Sequence, residues 1–222
     1  PSYLLKDDGT IESTRAVPLR SVVPVVMKKT RRQLARLFED NDNPRFCETI
    51  RNLRTWLMLQ NTEAPAQVVL VTSSVAGEGK STIANNLACS LTSLERVLLI
   101  DADMRQPTLS LNFDFPPENP GLANVIAGTA KLEDCIRTVG NLDMLPAGSL
   151  TLSPIDPFDA PRLPSARAQY GSAHRPPAQD LLSSPRLGRM LEALKGRYQH
   201  IIIDSPPAGM VSDALLLAKH SD

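Results

Sequence analysis

Apolar residues fall along this chain in two rhythms. Three short runs are apolar at nearly every position: Val68 to Val71, Val97 to Ile100 and Ile201 to Ile203. Runs of this kind read as strands buried on both faces of a parallel sheet. The first is predicted over Gln67 to Thr72. Between the runs the period becomes that of a helix. Ile83, Leu87 and Leu91, with Ala84 and Ala88 beside them, make one apolar stripe. Phe46, Ile50, Leu53 and Leu57 make another, in a helix that starts at Pro44. A third, from Asp180 to Lys195, carries Leu181, Leu182, Leu187, Leu191 and Leu194. Shorter helices are predicted over Leu122 to Ile126 and Lys131 to Val139, and a short strand over Leu142 to Leu145. Strands alternating with helices predict an α/β fold with a mostly parallel sheet and right-handed crossovers.

The chemistry sits where the strands end. The first strand runs into SSVAGEGKST, Ser73 to Thr82, and a helix follows. Backbone N–H groups of Gly77, Glu78 and Gly79 can curl into an anion-binding nest, completed by the positive end of that helix. Lys80 would reach the β- and γ-phosphates, and the Ser81 hydroxyl would hold Mg²⁺. The full pattern is G-x-x-x-x-G-K-[ST]; its first position is Ser74 here. The second strand ends in Asp101 and Asp103, with Arg105 just beyond, and the third in Asp204. Carboxyl ends of neighbouring parallel strands converge on one crevice, so these carboxylates should meet Lys80 around one nucleotide. Carboxylates there can ligate Mg²⁺ and accept a proton from an attacking hydroxyl.

Composition narrows the choice. The chain has 222 residues, 42% of them hydrophobic, and a formal net charge of zero. That is enough for a real α/β core, and it excludes nucleic-acid binding driven by overall charge. Cys47, Cys89 and Cys135 lie far apart, as do His174, His200 and His220, so neither set has metal-ligand spacing. No apolar run has transmembrane length and no signal peptide is visible. A first residue of proline leads us to expect a processed or cut piece.

Three regions stand apart from the alternation. Residues 1–43 form a flanking segment with seven Lys or Arg and no acid between Ser13 and Phe38. It reads as a solvated linker with a short helix over Arg31 to Phe38; the other reading is a membrane-adjacent stretch facing anionic lipid. In the helix after Pro44, Glu48, Arg51 and Arg54 recur every third residue, either as a local salt-bridge ladder or as a face for a neighbouring subunit. Gln106 to Pro120 is a Pro-rich loop. Residues 149–179 are rich in proline and small residues, lack a hydrophobic period and exceed an ordinary βα connection. They read as a disordered or loosely packed insertion in the domain spanning 44–222.

With these motifs in view the chain resembles the bacterial tyrosine autokinases of capsule and exopolysaccharide assembly, a branch of the P-loop NTPases. The resemblance runs from Pro44 to Asp222. It rests on ETIRNLRT, on VTSSVAGEGKST as Walker A, on LLIDADMRQP as a second Walker-type motif and on IIIDSPP as Walker B. LPAG, DLLSSPRL and VSDALLLAK are further matching pieces.

The resemblance implies a protein-tyrosine kinase that uses ATP and Mg²⁺ to regulate chain length and export of a polysaccharide. It implies that Ala76, Gly77, Glu78, Gly79, Lys80, Ser81 and Thr82 bind the nucleotide. Ser81, Asp101 and Asp204 would serve Mg²⁺, and Lys80, Asp101, Asp103 and Asp204 would carry the transfer. It assigns Glu48, Arg51 and Arg54 to a ring-like homo-oligomer. Further implied partners are a membrane polysaccharide co-polymerase domain, fused or separate, and a cognate tyrosine phosphatase, at the cytoplasmic face of the inner membrane. Nucleic acid is not among them.

Departures from the family pattern keep two alternatives open. Ala76 stands where the family has proline. The partitioning ATPases, a related switch class, carry a second lysine where this chain has Val75, which argues against that reading. The chain stops at Asp222, where the family continues with further strands, adenine contacts and a tyrosine-rich tail. The sheet is therefore expected to be incomplete at its C-terminus, and a non-catalytic fragment is the other alternative. Tyr3, Tyr170 and Tyr198 form no cluster.

Overall fold

A computed structural model describes residues 21–26, 29–59, 67–116, 118–148, 178–209 and 212–222. Among these, five strands form one sheet in the order β1 (Val68–Val71), β5 (His200–Asp204), β2 (Val97–Asp101), β4 (Leu142–Leu145), β3 (Arg137–Val139). The first four are parallel, and β3 is antiparallel to β4. The expected α/β architecture with a mostly parallel sheet flanked by helices is what forms. The register sets Val71 beside Asp204 and Asp204 beside Asp101. The loop after β1 and two acidic strand ends therefore share one edge of the sheet.

Every position of β2 and β5 is buried, because helices cover both faces. On one face Leu99 and Ile202 pack against Ala84, Leu87, Ala88 and Leu91 of α3 (Lys80–Leu91) and Leu57 of α2 (Pro44–Leu59). On the other, Leu98, Ile100, Ile201 and Ile203 meet α5 (Leu122–Ala127) and α8 (Pro185–Lys195) through Ile126, Leu187, Leu191 and Leu194. Each fully buried Leu or Ile contributes about 1.5–3 kcal/mol of transfer free energy. Among the described residues no helix is long and apolar enough to cross a membrane.

Four local expectations change. β1 is half-buried from Val69 to Val71, since it is one of the two edge strands among those described. Instead of one helix over Lys131 to Val139, α6 (Leu132–Cys135) stops and β3 begins. Gly140, at φ 60, and Asn141 then turn the chain into β4. Gly-Asn between Val139 and Leu142 is a hairpin signal that outweighs the helical spacing. The stretch from Asp180 to Lys195 is two helices, α7 (Ala178–Leu182) and α8, because Ser184 caps α8 through the Arg186 amide and Pro185 starts it. Within Gln106 to Pro120 a one-turn helix, α4 (Leu109–Asn112), forms. Residues 149–177 of the expected insertion lie outside the described residues.

The fifth change concerns the basic flank. α1 (Arg31–Ala35) lies within the predicted range, and although Arg31 to Gln33 stay exposed the segment is packed onto the domain, since Ala35 and Leu37 are fully buried and Leu37 joins Phe46 and Ile50 in a third cluster. A buried side chain clamps it: Asn86 accepts from the Phe38 amide at 2.8 Å and donates to the Leu34 carbonyl at 2.8 Å and the Thr82 carbonyl at 2.7 Å. Asn86→Ala would leave the Phe38 donor and Leu34 acceptor without partners. We expect it to cost about 1–3 kcal/mol, read from the urea midpoint, and to speed exchange of the Phe38 amide. An unchanged midpoint would show that the clamp adds nothing.

Candidate functional site

The loop from Ser73 to Gly79 joins β1 to α3 with φ of 86° at Gly77 and 91° at Gly79, values that side chains resist. No atom lies within 4 Å of the position a Cβ would take at either glycine, so the space over them is open to a close-lying ligand. The Glu78 carboxylate folds back and accepts from the amides of Ser74 at 2.8 Å and Val75 at 3.2 Å. The loop thus already presents amides to an anion. Behind it, Gly209 sits against the Ser74 carbonyl, where a Cβ would lie 2.3 Å away, and Ala208 and Gly209 donate to Ser73 and Ser74.

At the start of α3 the Lys80 ammonium lies 3.1 Å from Asp103 and 3.3 Å from Asp204, and it donates to the Ser81 hydroxyl at 3.1 Å. Thr108 donates its hydroxyl to the other Asp204 oxygen at 3.3 Å. Asp101 and Asp103 have different surroundings. Asp103 faces the cleft, whereas Asp101 is fully buried and does not line it. One Asp101 oxygen accepts from the Asp103 amide at 3.1 Å, the other from the amides of Thr108 at 2.8 Å and Leu109 at 2.9 Å. It holds the start of α4 against the end of β2.

The charges do not balance inside this group. Burial alone would lower the Lys80 pKa, but Asp204 and Asp103 outweigh it and hold the ammonium above its usual value. Burial raises Asp204, against the opposing pull of Lys80 and Ser81. Asp101 is pushed up to about 7, first by burial and then by Asp204, with the three amides pulling it back. One ammonium among three buried carboxylates leaves room for a proton or a cation.

Lys80, Ser81, Asp101, Asp103 and Asp204 thus come together as the spacing predicts. Glu48, Arg51 and Arg54 lie elsewhere, on α2. Glu48 pairs with Arg51 at 3.2 Å, as in a local ladder, while Arg54 turns inward to the Ser90 carbonyl at 2.7 Å. The loop opens into a cavity of about 790 Å³ walled also by Arg31 and Leu34 of α1 and by Leu111 and Phe115 around α4. None of these four stood out in the sequence, because α1 reaches the site only through tertiary packing. Arg105 was visible but its partner was not: it pairs with buried Asp213 at 3.0 Å, tying the Asp103 loop to α9 (Asp213–Ala218).

With this geometry in place the AAA domain family matches residues 66–221, about two-thirds of the chain and all of the strand-end site. The chain belongs to that family. Within it, the chain is 34% identical over 159 residues to the tyrosine-protein kinase CpsD of Streptococcus agalactiae, covering 70% of this chain and 59% of that protein. It is 27% identical over 228 residues to the tyrosine-protein kinase ptk of Acinetobacter johnsonii, covering 98% of this chain and 28% of that protein. The chain therefore spans only part of these relatives. Among solved structures, the BceF tyrosine kinase domain is 30% identical with a TM-score of 0.71, over 96% of this chain and 81% of that one. The family thus agrees with the resemblance read from the motifs.

Proposed function

We propose that this AAA domain is the nucleotide-binding part of a protein-tyrosine kinase of polysaccharide assembly, with ATP as phosphoryl donor and Mg²⁺ as its metal. The ion-paired group Lys80, Asp103 and Asp204, at adjacent strand ends beneath a loop with open glycines, carries the proposal. When bound, Mg²⁺·ATP supplies the transferable phosphoryl group and screens its charge. The loop amides from Ala76 to Gly79, with Lys80 and Thr82, would hold the phosphates. Ser81 and Asp204 would hold the metal, completed by phosphate oxygens and water, with Asp101 behind them. Asp103 faces the cleft and would take the proton from a phenol whose pKa is about 10. In the same reading Glu48, Arg51 and Arg54 contact a neighbouring copy, and the basic flank lies toward the inner membrane beside a co-polymerase. A tyrosine phosphatase would reverse the reaction.

The test is phosphotyrosine formation by the chain with Mg²⁺ and γ-labelled ATP, alone and with an added tyrosine-rich peptide. Label on tyrosine supports the proposal; phosphate release with no label on protein or peptide would instead favour a nucleotide switch.

The acceptor is not Tyr198, the single tyrosine among the described residues. Its hydroxyl donates to Asp143 at 2.8 Å, Arg96 and Arg197 lie over its ring, and it is 2% exposed. Burial and the Asp143 bond push its pKa up to about 12. It also precedes β5 while Asp204 ends it, a separation of roughly 20 Å at strand rise. Tyr198→Phe should cost about 1 kcal/mol in urea melts and leave the phosphotyrosine signal unchanged. A lost signal in a folded variant would reverse this assignment.

A further inference from the structure

The cleft is larger than the phosphates need, and its second wall has its own chemistry. Leu34, Leu111 and Phe115 give that wall an apolar surface, with Leu111 61% exposed. Arg31 stands beside them. Neighbouring arginines are engaged: Arg32 with Asp114, Arg36 with Glu39 and Arg105 with Asp213. Arg31 has no carboxylate partner among the described residues. α1 is held in this place by the Asn86 clamp and by the Arg32–Asp114 pair, so the wall is a built part of the domain.

We propose that Arg31, Leu34, Leu111 and Phe115 dock the segment that receives the phosphate, a polypeptide stretch with a tyrosine flanked by Asp or Glu. The proposal rests on the kinase reading and specifies its acceptor. An acceptor hydroxyl must come within hydrogen-bond reach of a proton-accepting group, and Asp103 is the carboxylate of the described residues that lines this cleft. With the loop and Lys80 taking the phosphates, the apolar wall is left for an aromatic ring. Arg31 sets the charge preference, since a guanidinium pairs with a carboxylate through two parallel N–H bonds. Tyr198 cannot occupy the wall, so the segment comes from elsewhere.

The decisive measurement is fluorescence anisotropy of two labelled peptides, one tyrosine between glutamates and one between lysines. Binding of N-methylanthraniloyl-ADP and N-methylanthraniloyl-ATP is followed in parallel. Wild-type protein should prefer the acidic peptide. Arg31→Ala should weaken that peptide about tenfold and erase the preference, while both nucleotides bind as before. Arg31→Lys should restore part of the affinity, keeping the charge without the fork. Leu111→Ser should weaken both peptides alike. The inference is overturned if Arg31→Ala leaves acidic-peptide binding intact, or if the loss appears in N-methylanthraniloyl-ATP instead, which makes Arg31 a nucleotide contact. Wild type that binds nucleotide but neither peptide sinks this inference alone. Wild type that binds no nucleotide sinks the kinase reading beneath it.

Discussion

Lys80→Met is expected to lower phosphotyrosine formation by about a thousandfold, a loss of roughly 4 kcal/mol of transition-state stabilisation. The ammonium is ion-paired with Asp103 and Asp204, at 3.1 and 3.3 Å, and it stands at the mouth of the loop. Methionine keeps the length of the side chain, so the fold should survive. What it removes is the charge that would grip the phosphates and that offsets the carboxylates. Without it Asp204 must rise further above its ordinary value, because the pull that opposes burial is gone. The variant should therefore lose more stability than wild type as pH rises above the ordinary carboxylate range, as read from thermal midpoints across a pH series. Wild-type levels of phosphotyrosine in a folded Lys80→Met protein would remove Lys80 from the reaction.

Asp101→Asn should abolish most activity by a different route. All three amides that meet Asp101 need an acceptor, and an asparagine has one carbonyl where the aspartate has two oxygens. Its NH₂ would face either the Asp103 amide or those of Thr108 and Leu109. The expected cost is about 1–3 kcal/mol, with faster exchange of the Thr108 and Leu109 amides. Phosphotransfer should fall because Asp103 and Thr108 are carried by that loop. An intact amide pattern with lost activity would point to direct chemistry by Asp101 instead.

The proton on Asp101 has its own signature. Its folded pKa of about 7 lies above the unfolded value of about 4, so the folded state binds the extra proton between those limits. Its contribution to stability is complete below about pH 4 and is lost as pH rises through about 7. An infrared titration of the nucleotide-free protein in chelator should show a carboxyl signal ionising near neutral pH that is absent from Asp101→Asn.

The motif residues were legible because strand-end loops are local. An apolar run, two glycines and Lys80-Ser81 fix a turn and a helix start within a dozen residues, and an acid after each later run marks the same end of the sheet. The break at Ser183 to Pro185 and the Gly140-Asn141 hairpin were written in the sequence too, as a cap and a turn that helical spacing obscured. Arg31 and Leu34 were not legible. Their segment has no period, and only the Asn86 clamp and the buried Leu37 bring it to the cleft.

The sequence by itself determined that strands and helices alternate, that a glycine-rich loop with the P-loop pattern follows the first strand, and that three acids accompany it. It could do so because period and turn chemistry act over a few residues. Only the tertiary structure decided where each acid sits. Strand order put Asp204 between β1 and Asp101, burial divided an inward Asp101 from a cleft-facing Asp103, and long-range packing set α1 as a wall. Burial and strand order depend on contacts between residues more than a hundred positions apart, which no local pattern encodes.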